Sequence, residues 1–509
     1  MEWDKIFVVA YLIVLSSLSV YGLHRMMLIV MFLKSKNKKL EPKARFEELP
    51  VVTIQLPMFN ERYVAERLIN AVTRIDYPKD KFEIQVLDDS TDDTRAIASR
   101  LVDIYRARGF DIHYIHRTDR TGYKAGALDE GMKIARGEFL FIFDADFVPG
   151  PDILKSTVHY FTDESVALVQ TRWTHINQDY SILTKVQALM LDGHFTIEHL
   201  ARFRTGRFFN FNGPAGIWRK QAIVDGGGWQ HDTVTEDLDL SFRVQMTKKW
   251  RLIYLPEIGT PAELPEDING FKTQQFRWAK GSIQVARKLL WRVLRAPLPF
   301  KVRLEAFFHL TNNIAYVLMV PLGLLIGPTL MFRQHSGSME VLTVDLPLFL
   351  ATTFAIGTFY ITTYRSVHGT FRGSFARLVL LMAVGIGISI NNARAVLEGA
   401  FGRSSEFIRT PKAGVSDSSG RRLSAGSVYR SPKNLTIFVE LFFGVYFLAT
   451  LVIAVMGGHY FAIPFLLLFL SGYWYVAIRS LIPVLKIRES SASADVPVEA
   501  ALAAPRPQM

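Results

Sequence analysis

Phe139-Leu140-Phe141-Ile142-Phe143-Asp144-Ala145-Asp146 is a run of five buried-type residues that ends in two carboxylates one residue apart. It is the fourth such run in its part of the chain. Val51–Leu56 is short and β-branched, and after it Val64, Leu68, Val72 and Ile75 fall on one helical face. Phe82–Leu87 and Phe110–Ile115 read as the second and third strands, and Thr94–Ala107 and Lys124–Ala135 as the helices between. Strand alternating with helix predicts an α/β fold on a parallel, doubly wound, Rossmann-like sheet. In such sheets ligands bind at the carboxyl ends of the strands, where Asp88-Asp89 and Asp144/Asp146 stand. Two carboxylates there can share a hard divalent cation whose other positions are taken by phosphate oxygens and water. The alternative is a solvated turn, because Asp is common where strands end. No Walker loop is present, which argues against a P-loop NTPase.

Outside this region the chain is apolar. Ile6–Leu33 is too long for a signal-peptide core and reads as a retained transmembrane helix. Lys34, Lys36, Lys38 and Lys39 follow it, which puts that end in the cytoplasm. Ala306–Phe332, Leu346–Tyr364, Leu435–Gly457 and Tyr460–Leu485 are each long enough to span. Leu378–Ile390 is shorter and lies between basic flanks, so it is expected to dip in and return. The expected organisation is a transmembrane helix over 1–34, a cytoplasmic catalytic domain over 35–303, and a membrane region over 304–488. That region includes an interfacial helix over 376–402 and a loop over 404–414. A disordered tail over 489–509 follows. Five spans put the N-terminus outside, with the catalytic domain and C-terminus inside. Leu183–Phe203 carries apolar residues at helical spacing and fits a helix at the membrane surface or a buried core helix.

Composition narrows the chemistry. The 509 residues hold 59 Lys+Arg against 47 Asp+Glu, a net charge of +12. Cytoplasmic loops of a membrane protein account for that excess, and no nucleic-acid motif is present. With no Cys, disulfides, thiolate catalysis and Cys-ligated zinc are excluded. His194, His199 and His231 have no zinc-site spacing.

Three further motifs follow in order: Phe208-Phe209-Asn210-Phe211-Asn212-Gly213, Thr235-Glu236-Asp237 and Gln274-Gln275-Phe276-Arg277-Trp278. With Asp88 and Asp144/Asp146 they resemble the processive branch of glycosyltransferase family 2, the cellulose synthase superfamily, marked by D, D-x-D, T-E-D and Q-x-x-R-W. Pro57-Met58-Phe59-Asn60-Glu61, Lys124-Ala125-Gly126 and Phe407-Ile408-Arg409-Thr410-Pro411-Lys412 look especially like the plant mannan and glucomannan synthase-like branch.

The resemblance implies a GT-A catalytic domain and a role for each motif. Pro57, Glu61, Asp88, Lys124, Asp144, Arg277 and Lys412 are expected to bind the nucleotide, with Asp88 at base and ribose. Asp144 and Asp146 are expected to bracket Mg2+ or Mn2+, Asp146 more directly. Asp237 is the expected general base. Trp278, Glu236, Gln274, Asn212 and Gly213 are expected at the acceptor. Taken alone, Thr235-Glu236-Asp237 also suits a helix cap, Trp278 a core position and Arg277 a surface cation, while Asp92 and Asp93 suit a cap.

The implied function is an inverting, processive synthase that makes a β-linked mannan, glucomannan or glucan from GDP-mannose or UDP-glucose and passes the growing glycan through its own membrane region. A non-processive enzyme adding one sugar to a lipid is the alternative. Intact Asp144, Asp146, Asp237 and Arg277 argue against a non-catalytic scaffold. The expected location is a bacterial inner membrane or a plant Golgi membrane.

Overall fold

β1 (Val52–Met58), β2 (Phe82–Asp88), β3 (Ile112–His116) and β4 (Phe139–Ile142) pair in parallel in the order β3-β2-β1-β4, the arrangement their alternation with helices predicts. The fold is that of a computed structural model, which describes residues 2–37, 40–332, 346–403, 410, 412, 414 and 436–481. Three strands that the sequence reading does not contain complete a seven-stranded sheet: β5 (Val166–His175), β6 (Gly216–Arg219) and β7 (Arg251–Ala262). β6 runs antiparallel between β4 and β5, and β7 pairs parallel with β5. The sheet is therefore mixed, with its first four strands as expected.

β1 and β2 are buried along almost their whole length, as central parallel strands are. Their polar positions face each other. Thr53 Oγ1 donates to Glu83 Oε2 at 2.7 Å, and Gln55 Nε2 donates to Gln85 Oε1 at 3.0 Å, each between register partners. Mutual pairing is what makes such groups tolerable in a core. One sheet face packs Ile54, Leu56, Val86 and Phe141 under the helices Ala65–Val72 and Thr94–Ala107. The other packs Leu128, Leu140 and Trp218 against Leu28, Ile29 and Phe32 of the N-terminal helix Glu2–Ser35, and Phe359. The sheet and the membrane region thus share one apolar core.

Ile182–Arg204 is helical throughout, with a π-helical stretch at Gly193–His199. Leu183, Val186 and Leu189 are buried against Tyr364, Leu381, Val384 and Val476. The segment packs between the sheet and the helices that carry Tyr364, Leu381 and Val476.

Among the described residues, four helices are long and apolar enough to cross a membrane: Ile6–Ser35, Ile314–Met331, Thr436–Met456 and Tyr460–Leu481. Ala306 through Thr311, read as the start of a span, belong to a separate helix, Phe300–Thr311. Leu346–Tyr364 lies in a 23-residue helix, Leu346–His368. The shorter segment is two helices, Ser374–Gly387 and Ser389–Ala400, bent by 49°. As a single unit they would be a fifth span. The tail over 489–509 lies outside the described residues.

Candidate active site

The carboxyl ends of β1, β2 and β4 open into a cavity of about 200 Å³. β1 runs on into Pro57 and Glu61, and β4 into Asp144 and Asp146. The helix Tyr123–Ile134 begins at Gly122 (φ +75°) and presents Lys124 from its first turn. Helix Glu236–Met246 presents Glu236 and Asp237, also from a first turn. Helix Ile268–Val285 supplies Gln274, Arg277 and Trp278 at i, i+3 and i+4, hence from one face. Asn212, Gly213 and Lys412 complete the set.

Every residue expected at the nucleotide, metal, acceptor or proton-accepting position lines this cavity except Asp88. Asp88 is fully buried behind the wall. Its Oδ2 accepts from the Tyr114 hydroxyl at 2.6 Å and its Oδ1 from Ser90 N at 2.9 Å. Its neighbour Asp89 is the one on the wall, held by Arg117 through bonds of 2.8 and 2.6 Å. The β-strand period of two explains the exchange, since adjacent residues point to opposite sides.

The capping alternatives separate cleanly. Thr235 is the N-cap residue of the Asp237 helix but makes no side-chain capping bond; the residue borders the cavity, with its hydroxyl buried toward Gly281. Asp92 does cap, accepting from Thr94 N at 3.0 Å, whereas Asp93 pairs with Arg62 at 2.8 Å.

Charge is balanced inside the cavity by short contacts. Lys124 Nζ lies 2.5 Å from Asp144 Oδ1 and donates to Gly213 O at 3.1 Å. Burial works against the Lys124 ammonium, but Asp144, Glu236 and Asp237 outweigh it and hold its pKa above the ordinary value. Lys412 Nζ lies 2.6 Å from Asp146 Oδ2 and donates to Glu263 O at 2.6 Å. Each of the two aspartates therefore attracts a cation. Two hard carboxylates one residue apart at a strand end fit Mg2+ or Mn2+. Among the described residues no group of three His, Asp or Glu side chains stands ready to hold a metal. A cation here would draw its remaining positions from the donor's phosphates and water.

Asp237 is the group best suited to take a proton. Burial first, then the neighbouring Glu236 carboxylate, push it up to about 7, which places a base near neutral pH. Leu238 N donates to its Oδ1 at 2.7 Å and fixes the carboxylate.

Gly213 faces this carboxylate with φ +92°, and a Cβ there would sit 3.1 Å from Asp237 Oδ2 and 3.3 Å from Lys124 Nζ. Gly213→Ala is therefore expected to cost about 1–3 kcal/mol in backbone strain and to displace the base. Thermal unfolding and kcat measured together check this; if neither moves, the close approach is unimportant.

A second cavity, of about 260 Å³, shares Asn212, Asp237, Gln274 and Trp278 with the first. It reaches Arg25, Tyr316 and Tyr360, which lie on three different helices of the membrane region. His194 and His199 flank Asn212. His194 Nε2 stands 2.9 Å from its Oδ1 and His199 Nε2 stands 2.9 Å from its Nδ2. Burial pushes the His194 imidazole down to about 4. These histidines orient Asn212.

Sequence reading missed Trp173, which lines both cavities, and Glu263. Glu263 is fully buried, pairs with Arg67 at 3.1 Å and accepts from Gly414 N at 3.1 Å. It anchors the chain that carries Lys412. Neither residue stands in a motif; both follow from β5 and β7, which the strand pattern did not reveal. Of the 404–414 loop only Thr410, Lys412 and Gly414 are described. Thr410 Oγ1 accepts from Arg277 Nη2 at 3.0 Å. Phe407, Arg409 and Pro411 lie outside the described residues.

A family model for glycosyl transferase family 2 matches residues 53–223, and one for glycosyl transferase family group 2 matches residues 139–390. Glucomannan 4-beta-mannosyltransferase 2 of Arabidopsis thaliana is 35% identical over 422 residues, 77% of this chain and 74% of that protein. Glucomannan 4-beta-mannosyltransferase 1 of Cyamopsis tetragonoloba is 31% identical over 440 residues, 84% of this chain and 80% of that protein. A Pyrobaculum calidifontis mannosyltransferase solved with GDP-Man and Mn2+ aligns with TM-score 0.49 and 22% identity, over 70% of this chain and 99% of that one.

Proposed function

Because this chain belongs to glycosyl transferase family 2 and is a nucleotide-sugar-dependent glycosyltransferase, we propose that it is an inverting, processive synthase of a β-1,4-linked mannan or glucomannan that secretes its product through its own membrane region. GDP-mannose is the first donor to test, in keeping with the relatives' names, and UDP-glucose the second.

The donor lies in the first cavity with its diphosphate toward Lys124, Arg277 and the Asp144–Asp146 pair. Arg277 suits two phosphate oxygens at once. A divalent cation at Asp144 and Asp146, when bound, neutralises the charge of the departing diphosphate. The terminal acceptor sugar rests on the Trp278 ring. Its hydroxyl oxygen attacks the anomeric carbon on the face opposite the diphosphate, and the hydroxyl proton passes to Asp237. The bond from the anomeric carbon to the phosphate oxygen breaks, the nucleoside diphosphate leaves with that electron pair, and the configuration inverts.

The observation that carries processive synthesis and secretion is the wall shared by the two cavities at Asp237 and Trp278, together with the reach of the second to Arg25, Tyr316 and Tyr360. A product held on Trp278 lies beside a second cavity, lined by Asn212, Gln274 and Tyr316 among apolar side chains, that reaches the membrane helices. The test supplies purified protein in sealed vesicles with single radiolabelled nucleotide sugars and Mg2+ or Mn2+, then applies linkage-specific hydrolases. Long chains in the lumen, cut by a β-mannanase, are expected. A single sugar on a lipid would replace this reading with the lipid-glycosylating one.

The segment over 404–414 closes over the donor in this reading, with Lys412 moving between Asp146 and the diphosphate. Lys412→Ala is expected to reduce turnover on the order of tenfold to a hundredfold. GDP is expected to protect residues 404–414 from hydrogen exchange in the wild type. Absence of that protection would make the segment a basic connector and nothing more.

A further inference from the structure

Helix Ile268–Val285 has a second functional face. Gln274, Arg277 and Trp278 point to the cavities. Lys272 lies on the opposite side of the helix and Lys280 on its flank, eight residues and therefore about 12 Å apart along the axis, and both are 1% exposed. Each reaches a carboxylate of the membrane region. Lys272 Nζ lies 2.7 Å from Glu440 Oε1, and Lys280 Nζ lies 3.3 Å from Glu398 Oε2. Glu440 is fully buried. Thr436 Oγ1 donates to its Oε1 at 2.9 Å, while its Oε2 has no partner among the described residues. Backbone contacts run alongside: Asn391 Nδ2 donates to Lys272 O at 2.9 Å, and Asn269 Nδ2 donates to Ser480 O at 3.3 Å.

A buried ion pair is a poor way to gain stability, since well-packed apolar residues of similar volume are often at least as stable. What two such pairs on one helix do provide is directional registration. A slip of one residue would move Arg277 and Trp278 by about 1.5 Å and turn them by about 100°. Glu440 also lies near the start of the helix Thr436–Met456, which follows the segment bearing Thr410 and Lys412 in sequence. The clamp and the donor cover are thus joined by chain.

We propose that Lys272 and Lys280 are positioning residues for glycosyl transfer, which with Glu440 and Glu398 fix the rotation and axial register of the helix that presents Arg277 and Trp278. The proposal rests on the roles given above to Arg277 and Trp278. Misregistration displaces the acceptor platform Trp278 and loosens the Arg277 contact, while Lys124 and the Asp144–Asp146 pair still hold the donor, so water competes with a misplaced acceptor. The diagnostic quantity is the ratio of GDP-mannose hydrolysis to sugar transfer, which partial unfolding would not change.

Full-length protein in lipid nanodiscs, with GDP-mannose as the probe, gives the test. Lys272→Met and Glu440→Gln are each expected to lower transfer kcat on the order of tenfold to a hundredfold, the cost of misplacement by about an ångström, and to raise the hydrolysis ratio. The reversed pair, Lys272→Glu with Glu440→Lys, is expected to restore both. An apolar pair, Lys272→Met with Glu440→Leu, is expected to fold yet keep the low kcat and the raised ratio. Folded single variants with an unchanged ratio, or an apolar pair with wild-type turnover, would overturn the proposal. So would failure of the apolar pair to fold, because the charges would then serve folding. Arg277→Ala separates the two readings: if it stays active, the assigned role of Arg277 is wrong, and if it is dead while the clamp variants behave as wild type, only the clamp falls.

Discussion

Asp237→Asn is expected to reduce turnover on the order of 10²–10⁴-fold, the usual contribution of a positioned general base. Asn keeps the shape and still accepts from Leu238 N, as Asp237 does at 2.7 Å, so the helix start is preserved. The diphosphate contacts assigned to Lys124, Arg277 and the Asp144–Asp146 pair lie elsewhere on the wall, and GDP affinity should survive. The pH profile gives a second reading of the same residue. Burial and Glu236 push Asp237 up to about 7, and only its carboxylate form accepts a proton. Hence kcat/KM should rise with pH toward a plateau above about 7, and fall below it as the base becomes protonated. Asp237→Asn should remove that limb from whatever activity remains. Loss of GDP binding in the variant would instead make Asp237 part of the donor site.

Asp146→Ala is expected to abolish transfer while leaving a folded membrane protein. The substitution removes the carboxylate that Lys412 contacts at 2.6 Å and one of the two carboxylates proposed to hold a divalent cation. Chelation with EDTA should have the same effect on the wild type, reversed by Mg2+ or Mn2+, whereas the variant should stay inactive at any metal concentration. Retention of more than a small fraction of wild-type turnover would remove Asp146 from the metal site. Size-exclusion behaviour and thermal unfolding distinguish inactivity from misfolding.

Four strands and the helices between them were legible because their apolar runs are short and bounded, and helix Thr94–Ala107 has the predicted ends. β5, β6 and β7 were not. β6 has four residues, too few to show a period, and β5 ends in Thr171, Arg172, Trp173, Thr174 and His175, which resemble a loop. The cavity lining was legible where residues stand in an ordered motif, as at Asp144, Asp146, Asp237, Arg277 and Trp278. The strand end offers two adjacent aspartates, and sequence does not say which one faces the cavity: Asp89 lines it and Asp88 is buried behind it. Glu263 left no local trace: its partners Arg67 and Gly414 are distant in sequence, and only the folded chain brings them together. The segment Ile182–Arg204 was ambiguous because burial against other helices and burial in lipid select the same residues.

Thr410 and Lys412 line the first cavity, with Gly414 beside them, although well over a hundred residues separate them from β7, and they are held there by Glu263, Asp146 and Arg277. The catalytic unit is consequently not a portable module. A version truncated before the membrane region would lack part of the cavity wall and would be a poor surrogate for inhibitor screening. Chimeras that graft this sheet onto another synthase's membrane helices should work only when the segment around 410–414 travels with the sheet. For engineering, the natural unit of exchange is the sheet plus that distant segment, and the gap between them in the gene is no guide to where a crossover can be placed.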